Sequence, residues 1–496
     1  MINKNYKWIA LSCTTLGAFV SVLNGSTMMI ALPIIMKELN ASMSLIMWVL
    51  MGYMLSITIL VPTFGRIADI YGRKALYVTG FGILTFGSLI CGFAHTGAQL
   101  LIFRLIQSIG GSLMLANSTA IVTDAFPKEE LGRALGINSM VIAVGSAVGP
   151  IIGGFLTNFG WQWIFWFNVP IGVIGTIWAA LQLKEIEKLP EGQKLDYPGT
   201  ITFVLGLFFL LLALSMGGMS GWMSPLVLGS FIGAIILLLG FIWIEKRVEQ
   251  PMLDLRLFES RLLAFAYTST LLNSIGRGAV TFLLIFYFHG IKGMTPLQAG
   301  VLLAPFALAM MIVAPISGIL SDKYGSRGLS TVGLLISAIG LLGFTRISTN
   351  TPISELIIWM VIMGGGSGLF NSPNTSAIMG NVPTDRRGIA AGTRTMLNNA
   401  GSVVSIALAM ATTSSSMTSQ AMQEIFTGSG GAAGGIAINE FITGLRLAFG
   451  ISFAITIFAA IISYMRGPSP MLEFIEDSYD NDTNSGDDYE AKTEGL

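Results

Sequence analysis

The chain has 496 residues, 53% hydrophobic and only 11% charged, too few charges to cover a soluble protein of this size. Lys plus Arg and Asp plus Glu balance at 27 each, so net charge points to no nucleic-acid partner. The two cysteines, Cys13 and Cys91, fall in apolar stretches and read as small buried hydrophobes, with no disulfide framework.

A membrane-crossing helix needs ~20 apolar residues. Fourteen such stretches follow one another: 8–34, 46–65, 75–94, 98–123, 133–157, 164–183, 199–217, 225–244, 262–289, 296–320, 329–346, 354–379, 389–412 and 442–464. The first is too long for a signal-peptide core and reads as a span. A polar stretch, Thr412 to Gly435, separates the last two. With the N-terminus inside, nineteen Lys and Arg fall on the inner side and only Lys37, Lys292 and Arg346 outside. That asymmetry predicts a cell-membrane protein, multi-pass, with both termini cytoplasmic.

Two repeats divide the chain. Gly65-x3-Asp69-x-Tyr71-Gly72-Arg73-Lys74-x-Leu76 recurs at an offset of 253 residues as Gly318-x3-Asp322-x-Tyr324-Gly325-Ser-Arg327-x-Leu329. Gly132-x3-Gly136-x3-Met140 with Gly145-Ser146 recurs at an offset of 256 as Gly388-x3-Gly392-x3-Met396 with Gly401-Ser402. The expected fold is therefore an all-α polytopic membrane protein. Residues 1–183 form one six-helix bundle, 184–261 hold two inserted helices with their loops, and 262–465 form the second bundle. Residues 466–496, with nine acids against Lys492, read as a disordered acidic cytoplasmic tail.

Three motifs carry the chemistry. Asp69 lies just inside the inner end of span 2, where a carboxylate can cap a neighbouring helix N-terminus. By the repeat, Asp69 should meet the start of span 13, and Asp322 the start of span 5. Asp69, Gly72, Arg73, Asp322 and Arg327 are thus the candidate inner gate. On span 4, Arg104-x2-Gln107-x2-Gly110-Gly111 buries a cation, which needs a partner or a wet cavity. On span 5, Gly145, Gly149, Pro150, Gly153 and Gly154 suit close helix contact and a bend.

In this order and in these spans, the three motifs resemble the signatures of the major facilitator superfamily. The Gly149-Pro150 motif is similar to the one marking its antiporters, and fourteen spans match its drug/proton antiporter group of the EmrB/QacA type. Trp48 to Tyr53 leading to Pro62, Trp161-Gln-Trp163 with Asn168-x-Pro170, and Leu253-Asp254-x-Arg256 add to the resemblance, which covers about residues 8–465. It implies two six-helix halves that expose a central site alternately to either side.

One departure bears on mechanism. Where the family carries an acid on span 1, this chain reads Leu23-Asn24-Gly25-Ser26. No Asp or Glu lies deep in a predicted span, whereas Arg277 lies near mid-depth and Arg104, Arg394 and Arg446 nearer the ends of theirs. Asn24, Asn273, Asn371 and Asn398, with Arg104 and Arg277, are the expected path-lining residues, a set suited to an anionic or neutral solute. His289 at the outer end of span 9 is a candidate proton carrier.

The expected function is a secondary active transporter, a proton-coupled, multidrug-type exporter of a small organic solute, working as a monomer in the lipid bilayer. A facilitator of an anionic or neutral metabolite without tight proton coupling is the alternative, and a transporter-like membrane sensor a second. With no nucleotide loop, metal cluster or nucleophile–base pair in the sequence, neither an enzyme nor a bound cofactor or metal is expected.

Overall fold

The computed structural model describes residues 6–41, 43–185, 195–248, 251, 253, 258–383, 386–416 and 435–467. Fourteen long helices carry the described chain. They are α1 (Tyr6–Glu38), α2 (Met43–Tyr71), α3 (Arg73–Cys91), α4 (Gly97–Ala125), α5 (Leu131–Leu156) and α6 (Trp163–Gln182). Then come α7 (Tyr197–Ser220), α8 (Pro225–Glu245), α9 (Arg261–Phe286), α10 (Pro296–Tyr324), α11 (Ser326–Phe344), α12 (Ile353–Gly380), α13 (Arg387–Ser416) and α14 (Gly435–Met465).

Every expected span falls on one of these helices. Thirteen are long and apolar enough to cross a membrane; α13 has the length but not the apolarity. Its Thr393, Arg394, Thr395, Asn398, Asn399 and Ser402 explain the difference. Several helices outrun the apolar stretch that announced them. Helix α2 continues to Tyr71 and α3 begins at Arg73, so the expected charged turn shrinks to Gly72 alone, at φ +105°. Only glycine takes that conformation without strain. Gly325, at φ +79°, makes the same one-residue turn between α10 and α11. Polar residues start other helices: Thr295, just ahead of Pro296, and Gln298 in the first turn form a reciprocal capping box for α10.

The helices sort into two halves, α1–α6 and α9–α14, which meet along two seams. Helix α5 packs on α10, and α2 on α13. The inserted pair lies outside. Helix α7 rests on the α2–α13 seam, where Phe203, Leu207 and Leu211 pack with Leu55, Ile59 and Ile389. Helix α8 packs on α7 and turns Ile232, Ile235, Ile236 and Leu239 outward. An apolar outward face is what lipid contact requires.

The two ends of the molecule differ. At the face carrying the ends of α1 and α14, here the basic face, one hydrophobic core joins both halves: Leu11, Ala120, Leu131 and Ala134 with Leu262, Tyr267, Ala377 and Ala391. At the opposite face the halves keep separate cores. One is built around Met28, Val49, Cys91 and Trp161, the other around Tyr287, Phe344, Met360 and Phe449. The structure is therefore closed at the basic face.

Candidate functional site: two latches and a buried polar cluster

The closure is polar as well as apolar, and it is nearly two-fold. Asp69, at the end of α2, reaches the first turn of α13 in the other half. Its Oδ1 accepts from Gly388 N at 2.9 Å and its Oδ2 from Ile389 N at 3.0 Å. Asp322, at the end of α10, reaches the first turn of α5: Oδ1 accepts from Gly132 N at 2.8 Å and Oδ2 from Arg133 N at 3.0 Å. Each carboxylate thus binds two backbone donors that a helix N-terminus leaves unpaired, at the positive end of its dipole. Glycine makes the approach possible. A Cβ on Gly388 would lie 2.4 Å from Asp69 Oδ1 and 2.5 Å from Gly65 O; one on Gly132 would lie 2.4 Å from Asp322 Oδ1 and 2.6 Å from Gly318 O.

The two latches are unequal. Asp69 also accepts from Arg73 Nη2 at 2.8 Å and Nε at 3.2 Å. Arg73 Nη1 pairs in turn with Asp124 of α4, whose other oxygen accepts from Arg387 of α13 at 3.1 Å. A four-residue chain of alternating charge therefore crosses from one half to the other. Asp124 was the part least visible in the sequence. It sits one residue before the end of α4, and only an acid opposite the Arg73 turn would have signalled it. Glu185, after α6, was missed. Its carboxylate accepts from Arg73 N at 2.8 Å and Lys74 N at 3.0 Å, capping α3 just after the Gly72 turn.

Arg327, expected at the gate, is placed elsewhere: its Nε donates to Tyr464 O at 2.8 Å within its own half. At the repeat offset of 253 it corresponds to Lys74, while Ser326 occupies the Arg73 position. One residue along a helix turns a side chain by about 100°. Arg466, which the sequence put at the head of the tail, is buried; its Nη1 donates to Asn374 Oδ1 at 3.0 Å. Burial, with Arg327 nearby, lowers its pKa to about 10.

A second polar group lies inside the first half. Asn24 Oδ1 accepts from Gln107 Nε2 and from Asn168 Nδ2, both at 3.2 Å. Gln107 Oε1 accepts from Arg104 Nη1 at 2.6 Å, and Gln107 Nε2 also donates to Ser88. The Arg104 guanidinium stacks 3.9 Å from the Tyr53 ring centre, a cation–π contact. Asn24 is 1% exposed and Arg104 0%, so neither is accessible in this conformation, although both were expected to line the path. Amide, hydroxyl and ring stand here where a counter-ion would stand. Asn24 Nδ2, Arg104 Nε and Nη2, Asn168 Oδ1 and Tyr53 Oη remain without partners.

In the second half, Ser274 donates to Asn398 Oδ1 at 2.7 Å, beside buried Asn273. Asn371 Nδ2 bonds Ser367 O in its own helix. Arg277 is half-buried, and its Nε has no partner. The small-residue motif of α5 packs on α1 next to Asn24. A Cβ on Gly149 would meet Ser26 Oγ at 1.8 Å, one on Gly153 would meet Thr27 Cα at 3.1 Å, and Gly145 faces Phe19 and Val22. Helix α5 runs unbroken through Pro150 and Gly154. The side chain of His289 lies outside the described residues.

The two latches thus join two pseudo-equivalent helical bundles at one face. The family description "Major Facilitator Superfamily" matches residues 14–406 and 266–478. The riboflavin transporter RibZ of Clostridioides difficile (strain 630) is 36% identical over 383 residues, covering 77% of this chain and 83% of its own. Multidrug resistance protein 3 of Bacillus subtilis (strain 168) is 30% identical over 424 residues, covering 84% and 82%. Among solved structures, the proton:xylose symporter XylE bound to 6-bromo-6-deoxy-D-glucose superposes with a TM-score of 0.64 at 13% identity, over 94% of this chain and 97% of that one. That last likeness bears on the fold alone. The chain belongs to the Major Facilitator Superfamily: it is a membrane transporter, not an enzyme.

Proposed function

We propose that this transporter is a proton-driven exporter of a small organic solute, a member of the fourteen-helix drug/proton antiporter group, working by alternating access. The reading rests on the paired latches. Asp69 on α13 and Asp322 on α5 hold the halves together at the basic face, whose excess of Lys and Arg makes it the cytoplasmic one. Opening that face requires both carboxylates to leave their helix ends and the shared core to part. The halves would then rock about a central path on which Asn24, Arg104, Asn273, Arg277, Asn371 and Asn398 act in turn. A monomer contains both halves and suffices. Similarity to a multidrug resistance protein supports export of organic solutes.

A second reading has its own support. Asn24 stands where the family carries its acid, and a relative is named for riboflavin, so a carrier without tight proton coupling is the rival. Proteoliposomes loaded with riboflavin or a dye panel decide between them. A proton-driven exporter moves its solute several-fold faster with an imposed pH gradient and slows when an ionophore collapses it. A facilitator runs at the same rate either way.

A further inference from the structure

We infer that the cargo carries an anionic group, a carboxylate, sulfonate or phosphate, and that Arg277 holds it. The inference rests on the transporter reading above. Arg104, Arg277, Arg394 and Arg446 lie within the spans beyond the charged turns, and the structure separates them. Arg104 is fully buried, bonded to Gln107 and stacked on Tyr53, so its site is already filled by protein. Arg446 donates from Nε to Ile347 O at 2.7 Å, just beyond the end of α11. Arg277 and Arg394 are half-buried, and each has a buried Nε without a partner.

The neighbours of Arg277 fix where it lies. Thr270 of α9 accepts from Asn374 of α12 at 2.9 Å. Ser274 of α9 donates to Asn398 of α13. Arg277 comes seven residues after Thr270 and three after Ser274, so the helical period puts it about 20° around α9 from Thr270 and about 60° from Ser274, on the same side of the helix as both. The helices packed most closely on α9 are α10, α12, α13 and α14, all of its own half, and among them Arg277 remains partly exposed. It lies on the side of the molecule away from the closed face. Arg394 sits four residues from Asn398 toward the closed face, roughly 10 Å from Arg277 along the axis at 1.5 Å per residue.

Charge decides the class of ligand. Among the described residues the acids of the spans sit at helix ends. Asp69, Asp124 and Asp322 are committed to the closed face, while Glu38, Glu355 and Glu440 lie toward the opposite ends of α1, α12 and α14. A guanidinium at mid-span without a counter-ion is costly. A cargo anion relieves that cost through a bidentate, charge-assisted contact, whereas a cationic cargo adds to it.

Fluorescence anisotropy on the purified full chain in detergent tests this with two dyes on one xanthene scaffold, anionic carboxyfluorescein and cationic rhodamine 123. Carboxyfluorescein should bind ~10-fold or more tighter, and Arg277→Gln should remove at least that factor. Arg277→Lys, which keeps the charge and loses the fork, should recover part of it. If Arg277→Gln fails to fold, displacement of carboxyfluorescein from the native chain by benzenesulfonate, and not by benzylammonium, supports the same conclusion. The assignment is overturned by equal or tighter rhodamine binding, by native protein that ignores carboxyfluorescein, or by native affinity in Arg277→Gln. Rhodamine that is both bound and transported removes the charge assignment and leaves the transporter reading standing. A dye that binds but never crosses the membrane removes the transporter reading.

Discussion

Asp69→Asn keeps the shape of the first latch and removes its charge. In the closed state Asp69 accepts from Gly388 N, Ile389 N and two nitrogens of Arg73, all within 3.2 Å, and it is 4% exposed. The amide keeps one acceptor oxygen, so one backbone donor is orphaned, the ion pair with Arg73 goes, and the helix-dipole term goes. At ~1.5–3 kcal/mol for a charged hydrogen bond and ~0.3–1 for the dipole, the closed state loses ~3 kcal/mol or more. Asp322→Asn has no such arginine to lose and should cost less, ~2 kcal/mol. With 1.4 kcal/mol per decade, the open fraction rises about a hundredfold in the first variant and about thirtyfold in the second. The assay is maleimide labelling of Ala134→Cys, a position in the shared core at 0% exposure, in a background lacking Cys13 and Cys91. The labelling rate should follow the open fraction, with Asp69→Asn ahead of Asp322→Asn. Unchanged labelling in both variants would refute the latch reasoning; the reverse order would refute the account of their inequality.

Gly132→Val puts side-chain atoms where Asp322 Oδ1 and Gly318 O already lie within 2.6 Å of an added Cβ, so the protein should insert normally, label fast in the Ala134→Cys background and lose more than ~90% of transport. Gln107→Leu leaves buried Arg104 without its acceptor and should lower stability by ~3 kcal/mol, read as a fall in melting temperature in detergent. Asn24→Asp fits without rearrangement, because Asn24 Oδ1 already accepts two bonds and Asn24 Nδ2 has no partner. With Arg104 two bonds away as counter-charge, this variant should fold and should show steeper pH dependence of transport than the native chain; equal pH profiles would count against a proton-site role for this position.

The helices were legible because lipid demands long apolar runs, and the two-half plan because two short charged motifs repeat at nearly equal offsets. Helix ends were less legible. Asp69 and Tyr71 are helical despite their polarity, since a hydrogen-bonded backbone continues past the apolar run that announced it. The repeat also pointed Asp69 at α13 and Asp322 at α5, where the structure has them. Sequence could not separate Arg73 from Arg327: both are basic residues after a glycine turn, and one position of offset turns one toward Asp124 and the other toward Tyr464. Nor could it show that Arg104 is covered while Arg277 is not. That difference depends on Tyr53 stacking on the guanidinium and Gln107 accepting from it, with Ser88 of a third helix accepting in turn from Gln107. The acidic tail from residue 468 onward and the side chain of His289 lie outside the described residues.

In the proposed mechanism the halves part at the basic face in every transport cycle. Arg133 on α5 and Lys323 on α10 are both exposed there, and Arg133 N bonds Asp322, the neighbour of Lys323, at 3.0 Å. Arg133→Cys with Lys323→Cys, joined by a short cleavable bis-thiol linker in proteoliposomes, ties the closed face shut without touching either carboxylate. Linked protein should stop transporting the dye it otherwise moves, and reducing the linker should restore the native rate. Linked protein that transports at the unlinked rate would contradict that mechanism.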